Sequence, residues 1–265
     1  MDQKLSIITV NLNNSNGLQK TIESVEKQTY SDFEFIVIDG GSTDGSMDLI
    51  KSSDRITYWI SEPDKGIYNA MNKGIERAKG EYCFFLNSGD WFSNEKVLEK
   101  FLTKGEGEDF LFGNVDTDRG IRKAKEKITF FTFYSGTIIH QSVFTKRSLF
   151  LKYGTYDETL TIVADWEFFL RTIINDKCTY RYIDETICRY EYTGVSSDLR
   201  NHEKLANQRQ QVLKTMYPMM YDDYLVFKNA DAALHFYVNS WPIQQLKKIL
   251  QSKIYNCFRK LFNFK

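Results

Sequence analysis

The chain has 265 residues, and its 35 lysines and arginines balance its 35 aspartates and glutamates. This charge balance gives no bulk attraction for a polyanion, so we expect no nucleic-acid partner. No apolar run approaches the ~20 residues that span a bilayer, and the stretch before the first predicted strand is too short for a signal peptide. The cysteines show no metal-type spacing, and reduced thiols in a cytoplasmic protein are the simplest interpretation of Cys83, Cys178, Cys188 and Cys257.

Strands and helices alternate over the first 115 residues. The predicted elements are strands at Leu5–Val10, Phe33–Ile38, Ile56–Ile60 and Tyr82–Leu86, and helices at Leu18–Gln28, from near Ser46, and at about Ile67–Lys79. The apolar run of the last strand is typical of a strand that is buried on both faces. The alternation predicts an α/β fold with a parallel sheet covered by helices.

The alternation of strands and helices becomes irregular after about Asp109. Short strands are predicted at Phe110–Phe112 and Thr137–Ile139, and apolar spacing predicts a helix over Trp166–Ile174. The chain is predicted to be helical again from roughly His202 onward. We therefore expect one compact unit with a C-terminal helical tail.

The end of the tail, residues 241–265, contains lysines and arginines but no acidic residue, and its apolar residues recur every three or four positions. A basic amphipathic helix of this kind can lie on an anionic membrane surface. The same pattern fits a helix that packs on its own domain or on a partner subunit, as in a homodimer. Both interpretations stay open.

Polar groups follow three of the predicted strands directly. Asn11 follows the first predicted strand, and Asp39 follows the second. The segment 87–90, which ends in Asp90, follows the strand Tyr82–Leu86. Because ligands of open α/β sheets bind at the carboxyl ends of the strands, we expect a nucleotide site here. Asp90 is a reasonable ligand for Mg²⁺ or Mn²⁺ on a diphosphate, or alternatively the cap of a helix near Asn94.

Three further side chains are candidates, each with a structural alternative. Asp64 precedes a predicted helix and could simply cap it. Asp165 lies at the start of another predicted helix and could cap it or act as a general base. Glu167 is the competing candidate for the general base. His140 could bind metal or phosphate, although a lone histidine is more often structural.

Six segments occur in a fixed order along the first 200 residues: Ser6–Asn11, Ile38–Gly45, Ser61–Gly74, Leu86–Asp90, His140–Gln141 and Ala164–Arg171. This ordered set resembles the family 2 glycosyltransferases, which have the Rossmann-like GT-A fold. The resemblance implies a nucleotide-sugar-binding half at 1–115, an acceptor-binding and catalytic half at 116–200, and a helical tail at 201–265. A Rossmann-type dehydrogenase is disfavoured because Gly-x-Gly-x-x-Gly is absent from the first strand-to-helix turns.

The resemblance also implies roles for individual residues. Thr9, Asp39 and Asp64 match positions that contact the nucleoside, usually uridine, and Asn11 and Ser88 belong to the same nucleotide site. Asp90 matches the last carboxylate of the metal-binding motif, with His140 as a second candidate metal ligand. Asp165 matches the catalytic base.

The implied activity is a metal-dependent, inverting transfer from a nucleotide-sugar donor, with Mn²⁺ or Mg²⁺ as the cofactor. The donor would be a UDP-sugar and the acceptor a glycan or lipid-linked glycan, in cell-surface polysaccharide biosynthesis. The expected location is cytoplasmic, with a peripheral position on the inner face of the membrane as an alternative. Many relatives have Asp-Asp where this chain has Gly89-Asp90, and the missing carboxylate is associated with ribose contact. A catalytically silent nucleotide-sugar binding module is therefore the competing interpretation.

Overall fold

Strands and helices alternate in the first part of the chain, as the sequence predicts. The computed structural model describes residues 4–190 and 199–250. The first elements are β1 (Leu5–Asn11), α1 (Ser15–Glu26), β2 (Phe33–Asp39), α2 (Ser46–Ser52), β3 (Tyr58–Ser61), α3 (Ile67–Arg77) and β4 (Tyr82–Phe85).

Shorter elements follow up to residue 189. They are β5 (Trp91–Phe92), α4 (Val97–Lys104), β6 (Phe110–Thr117), β7 (Gly120–Arg122), α5 (Phe130–Ser135), β8 (Val143–Lys146), α6 (Arg147–Tyr153), α7 (Ala164–Phe169) and β9 (Tyr180–Arg189). The helices α8 (His202–Met216), α9 (Pro218–Asn239) and α10 (Trp241–Leu250) complete the described chain.

The strands form one nine-stranded sheet in the order β3-β2-β1-β4-β8-β6-β9-β5, with β7 paired to β6. The first four strands are parallel to one another, and β6 is parallel to β9. Antiparallel pairs enter in the second half, where β8 runs against both β4 and β6. The predicted α/β class, with a helix-covered and mostly parallel sheet and a C-terminal helical part, is confirmed.

The core lies on both faces of the sheet, because β1 and β2 are buried along their whole length. Helix α3 approaches β1 closely at Gly74, where an added Cβ would lie 2.4 Å from Ile8 Cγ2. A glycine is therefore needed at this position, because any side chain would push the helix off the sheet. The thiols of Cys83, Cys178 and Cys188 are buried and unpaired.

Two predicted elements need correction. The strand at Thr137–Ile139 is wrong: this segment is irregular and leads into a 3₁₀ turn at His140–Ser142. Ile138 is buried there without strand pairing, so the apolar run marks burial rather than a strand. The helix predicted at Trp166–Ile174 begins at Ala164 and changes to a π-helix over Leu170–Asn175.

The chain divides into two compact units, Met1–Arg209 and Gln210–Lys265. Strand β6 crosses residue 115 without interruption, inside the first unit. Of the predicted basic helix at 241–265, the structure describes α10, and residues 251–265, with Cys257, lie outside the described residues. Within the described ranges, no helix has the combined length and apolar character that crossing a bilayer requires.

Candidate active site

A cleft of about 490 Å³ lies where the parallel strands end. We call it the strand-end cleft. Its walls come from the residues that follow β1, β2, β3 and β4, and include Asn11, Asn14, Gly40, Asp64 and the segment Asn87, Ser88, Gly89 and Asp90. Four predicted site residues, Asn11, Asp64, Ser88 and Asp90, are therefore brought together, at the edge where open α/β sheets bind ligands.

Thr9 and Asp39 lie behind this wall rather than in it. Both side chains are fully buried. The Thr9 hydroxyl donates to the carbonyl oxygen of Leu86 at 2.6 Å. Asp39 accepts hydrogen bonds from Ser42 Oγ at 2.6 Å and Ser61 Oγ at 2.6 Å. These contacts hold the strand ends in place, and direct nucleoside contact by Thr9 and Asp39 stays a prediction.

The pKa of Asp39 reflects the same contacts. Burial alone would raise it, but the hydrogen bonds from Ser42, Ser61 and Asn11 outweigh burial and lower the pKa below its usual value. The Asn11 side-chain amide donates one of these hydrogen bonds, from Nδ2 to Asp39 Oδ1 at 2.8 Å. Its own Oδ1 is buried without a hydrogen-bond partner in the protein. Such an oxygen can accept a hydrogen bond from a ligand in the cleft.

Asp64 does not cap helix α3, so that structural interpretation is wrong. The helix is preceded by Gly66, and no side chain caps it. Asp64 Oδ1 instead accepts from Lys73 Nζ at 2.6 Å, and the same lysine lies 2.8 Å from Glu62. This ion pair fixes the Asp64 carboxylate at the rim of the strand-end cleft.

The turn that carries Asp90 is tied to helix α1. The backbone oxygen of Asp90 accepts from Thr21 Oγ1 at 2.7 Å, and Asp90 itself is 6% exposed. The next helix begins only at Val97, with Lys96 before it, so Asp90 is not a helix cap. Gly89 has a φ of +102°, a backbone conformation that side chains disfavour. This turn therefore favours glycine over a residue with a side chain at position 89.

Asp90 suits a divalent cation that also binds a diphosphate. Among the described residues, no three histidine, cysteine, aspartate or glutamate side chains cluster as a metal site. A hard ion such as Mg²⁺ commonly uses one or two carboxylates and completes its shell with substrate phosphates and water. The single carboxylate at the strand end, facing an open cleft, fits this kind of site.

Asp165 is held by two side chains from different parts of the chain. Tyr68 donates its hydroxyl hydrogen to Asp165 Oδ1 at 2.7 Å, and His140 Nδ1 lies 3.2 Å from Asp165 Oδ2. Burial alone would raise the pKa of this carboxyl, but His140, Tyr68 and the backbone N–H of Trp166 outweigh burial and lower it. The lowered pKa keeps this mostly buried carboxylate ionised at neutral pH.

The other interpretations of this helix start do not fit the geometry. Helix α7 is preceded by Val163, and Asp165 lies inside its first turn, so it is not the N-cap. Glu167 is bound to Arg171, with Arg171 Nε 2.7 Å from Glu167 Oε1. Asp165 is thus the carboxylate of this pair that faces open space.

Both ring nitrogens of His140 face protein side chains. Nδ1 meets Asp165, and Nε2 lies 3.3 Å from Asn87 Nδ2. A metal ion at His140 would have to displace one of these partners. The structure therefore supports a role in orienting Asp165 better than the role of metal ligand.

Asp165 lies between two pockets. An inner chamber of about 80 Å³ is lined by Tyr68, Asn87, Gln141, Asp165 and Tyr190. It shares Asn87, Gln141 and Tyr190 with the strand-end cleft. An outer pocket of about 610 Å³ includes Arg119, Arg122, His140, Ile162, Asp165, Trp166, Tyr190, His202, Leu205 and Arg209 in its lining. One carboxylate is therefore reached from both sides.

Comparison with known proteins identifies the family of the chain. The sequence profile of Glycosyl transferase family 2 matches residues 6–171. The chain belongs to glycosyl transferase family 2. It is 37% identical over 204 residues to an uncharacterized glycosyltransferase of Mycobacterium tuberculosis (strain ATCC 25618 / H37Rv), covering 73% of this chain and 77% of that protein. The predicted family is confirmed.

Two solved structures show the same fold at low sequence identity. S. aureus TarS 1-349 in complex with UDP-GlcNAc has a TM-score of 0.65 at 17% identity, covering 84% of this chain and 70% of that one. The chain covers 42% of the longer TarS chain. The mannosyltransferase PcManGT from Pyrobaculum calidifontis, in complex with GDP-Man and Mn²⁺, has a TM-score of 0.59 at 13% identity, covering 100% of this chain and 89% of that one.

Two residues of this glycosyltransferase's site were not found from the sequence. Tyr68 falls on the buried face of α3, where a tyrosine looks like an ordinary core residue. Tyr190 directly follows β9, a strand that the sequence pattern did not predict. The signal for Tyr68 was its place in the first turn after Gly66, close to the strand ends; Tyr190 had no comparable signal.

Proposed function

We propose that this glycosyltransferase moves a sugar from a UDP-sugar onto a hydroxyl group of a glycan or lipid-linked glycan, with inversion at the anomeric carbon. The position of Asp165 carries the proposal, because this carboxylate lines both the inner chamber and the outer pocket. The donor would bind in the strand-end cleft, and the acceptor would enter through the outer pocket. Cell-surface polysaccharide biosynthesis is the process that such a reaction would serve.

In the proposed reaction, Asp165 acts as the general base. It takes the proton of the acceptor hydroxyl while that oxygen attacks the anomeric carbon. The bond from this carbon to the diphosphate breaks on the opposite face, and the nucleoside diphosphate leaves. The lowered pKa of Asp165 keeps the base ionised at neutral pH, and the contacts to Tyr68 and His140 hold its orientation.

The donor would be held by the residues of the strand-end cleft. Asn11, Asp64 and Ser88 would bind the nucleotide, and Asp90 would hold Mn²⁺ or Mg²⁺ at the diphosphate. A divalent ion bound there supplies positive charge that stabilises the departing diphosphate. The fold shared with a mannosyltransferase in complex with GDP-Man and Mn²⁺ is in keeping with this proposal.

The test separates binding from chemistry. UDP binding is measured by calorimetry with Mn²⁺ and again after chelation, and turnover is measured as UDP released from UDP-sugars. We expect Asp165→Asn to bind UDP like the wild type and to lose turnover by about 10²–10⁴-fold, the usual contribution of a general base. Glu167→Gln is the matched control, because it neutralises the neighbouring carboxylate that is bound to Arg171.

The contrary outcomes are distinct. Full turnover in Asp165→Asn would remove the proposed base, and Glu167→Gln would then be the variant to compare. UDP binding without turnover of any UDP-sugar in the wild type would favour the catalytically silent binding module. Failure to bind UDP would direct the same titration to GDP and dTDP.

A further inference from the structure

Helix α9 has an apolar face that is exposed. Residues three, four, seven or eight positions apart share one face of a helix, and this spacing joins Val226, Phe227, Leu234 and Tyr237. All four side chains are more than half exposed, and Trp241, the first residue of α10, is 75% exposed. We call these five residues the tail apolar surface. Helices in proteins gain most of their stability by burying such a face, so we expect a partner that covers it.

The end of the chain that carries this surface is positively charged. Residues 232–265 contain six lysines and arginines and no aspartate or glutamate. Since the whole chain has 35 residues of each sign, residues 1–231 carry an equal excess of acidic residues. The net charge of zero is therefore the sum of a basic end and an acidic remainder. Lys248 of α10 is exposed and lies seven positions after Trp241, on the same face of the helix.

The sign of this charge favours a lipid surface over a second copy of the chain. A second copy would place one basic segment against another, and residues 232–265 offer no acidic side chain to offset the repulsion. A membrane with anionic lipids supplies the opposite charge and also covers apolar side chains. Tryptophan and tyrosine suit the boundary between head groups and acyl chains, because each ring has an apolar body and a polar N–H or O–H group.

We propose that the tail apolar surface and the basic residues after it bind the surface of an anionic membrane. Leu234, Tyr237 and Trp241 lie at the boundary between head groups and acyl chains, and Lys248 faces the lipid phosphates. The proposal goes beyond the proposed function, because it requires neither a sugar donor nor turnover. An enzyme held in this way would meet a lipid-linked acceptor at the membrane where that acceptor resides.

Binding of the full chain to lipid vesicles tests the proposal. Sedimentation is compared between vesicles of phosphatidylglycerol and phosphatidylcholine in equal parts and vesicles of phosphatidylcholine alone. We expect tighter binding to the anionic vesicles, and we expect high salt to weaken it, because salt screens the attraction between the basic end and the lipids.

Two pairs of variants separate the apolar and the charged contributions. Leu234→Ala should weaken binding to anionic vesicles by about tenfold or more, because it removes three carbon atoms from the membrane contact. Ile121→Ala is the matched control: Ile121 of β7 is as exposed as Leu234, at 62%, and loses the same number of carbon atoms. Lys248→Gln should weaken binding by about fivefold, the effect of one charge near the surface. Lys51→Gln, at an exposed lysine of α2, should leave binding unchanged.

Tryptophan fluorescence locates the contact on the chain. Brominated acyl chains should quench Trp241, so that Trp241→Phe removes most of the quenching by anionic vesicles. Trp59→Phe is the control, because Trp59 of β3 is also exposed but lies outside the tail apolar surface.

The proposal is overturned if the chain binds both kinds of vesicle equally or neither, or if Leu234→Ala and Ile121→Ala bind anionic vesicles alike. A dimer in sedimentation velocity without lipid that Leu234→Ala dissociates would assign the surface to a second copy and would also overturn it. UDP binding and turnover are measured without vesicles, so their outcome tests the proposed function separately.

Discussion

Replacing Tyr68 with phenylalanine tests how the candidate base is held. The substitution removes one hydroxyl that donates to Asp165 Oδ1 at 2.7 Å and lies 2.9 Å from the Ile162 carbonyl oxygen. The ring stays, so its packing against Tyr156 at 5.5 Å between centroids is kept. What is lost is therefore a buried hydrogen bond to a charged group, with little change in volume.

The expected size of the effect follows from the charge of the acceptor. A hydrogen bond to a charged group contributes about 1.5–3 kcal/mol to stability, and a neutral one about 0.5–1.5 kcal/mol. Tyr68→Phe should lower the free energy of unfolding by about 1.5–3 kcal/mol at pH 7. In an Asp165→Asn background, where the acceptor is neutral, the same change should cost about 1 kcal/mol less.

The dependence on pH has a definite sign. Because the pKa of Asp165 is lowered in the folded protein, its stabilising contacts are fully present above the unfolded pKa and are lost as the pH falls through the folded value. The difference between wild type and Tyr68→Phe should shrink over this acidic range. The control Tyr82→Phe removes another buried tyrosine hydroxyl, which donates to the Glu108 carbonyl oxygen at 2.7 Å, and should show no coupling to Asp165→Asn.

Urea unfolding followed by circular dichroism measures all four members of the cycle. A cost of Tyr68→Phe that is the same with Asp165 and with Asn at that position, within about 0.5 kcal/mol, would refute the reasoning. It would mean that the Tyr68 hydroxyl stabilises the fold through Ile162 and that Asp165 is oriented by other groups.

Three further changes test the strand-end cleft and its support. Asp90→Asn should weaken UDP binding, measured by calorimetry in the presence of Mn²⁺, by about tenfold or more. The control Asp48→Asn, at an exposed carboxylate, should leave UDP binding unchanged. Equal UDP affinities of the two variants would exclude Asp90 as the metal ligand. Gly89→Ala should lower the free energy of unfolding in urea by about 1–3 kcal/mol, because its φ is +102°. Gly74→Ala should cost about 1–3 kcal/mol by overpacking, with little change for Gly136→Ala, whose added Cβ would meet Thr132 O at an ordinary 3.8 Å.

The parallel half of the fold could be predicted from the sequence because three of its strands have a clear local sequence pattern. The strands β1, β2 and β4 are apolar runs that are followed by turn residues. This pattern is enough to predict a parallel strand that is buried on both faces. The second half was predicted less well. β8 and β9 pair with strands far away in the chain, and their polar residues satisfy tertiary contacts that no local period reveals.

The candidate site shows the same division. Asn11 and Asp90 could be placed at one edge, because every parallel strand delivers its carboxyl end to the same side. The environment of Asp165 could not be predicted in this way. Tyr68 is 97 residues away in sequence, and it meets Asp165 because the fold brings the first turns of α3 and α7 together. The order of the segments predicts Asp165 as the base, and tertiary contacts lower the pKa of its carboxyl.

His140 connects the two halves of the site through one ring. Its Nε2 lies 3.3 Å from Asn87 Nδ2, and its Nδ1 lies 3.2 Å from Asp165 Oδ2. Asn87 belongs to the turn that ends in Asp90, so this turn contacts the imidazole directly. The same imidazole contacts Asp165 Oδ2, so the proposed base and the turn that would hold the metal and the diphosphate share one neighbour. A change in the position of His140 would therefore reach both the proposed donor site and the proposed base.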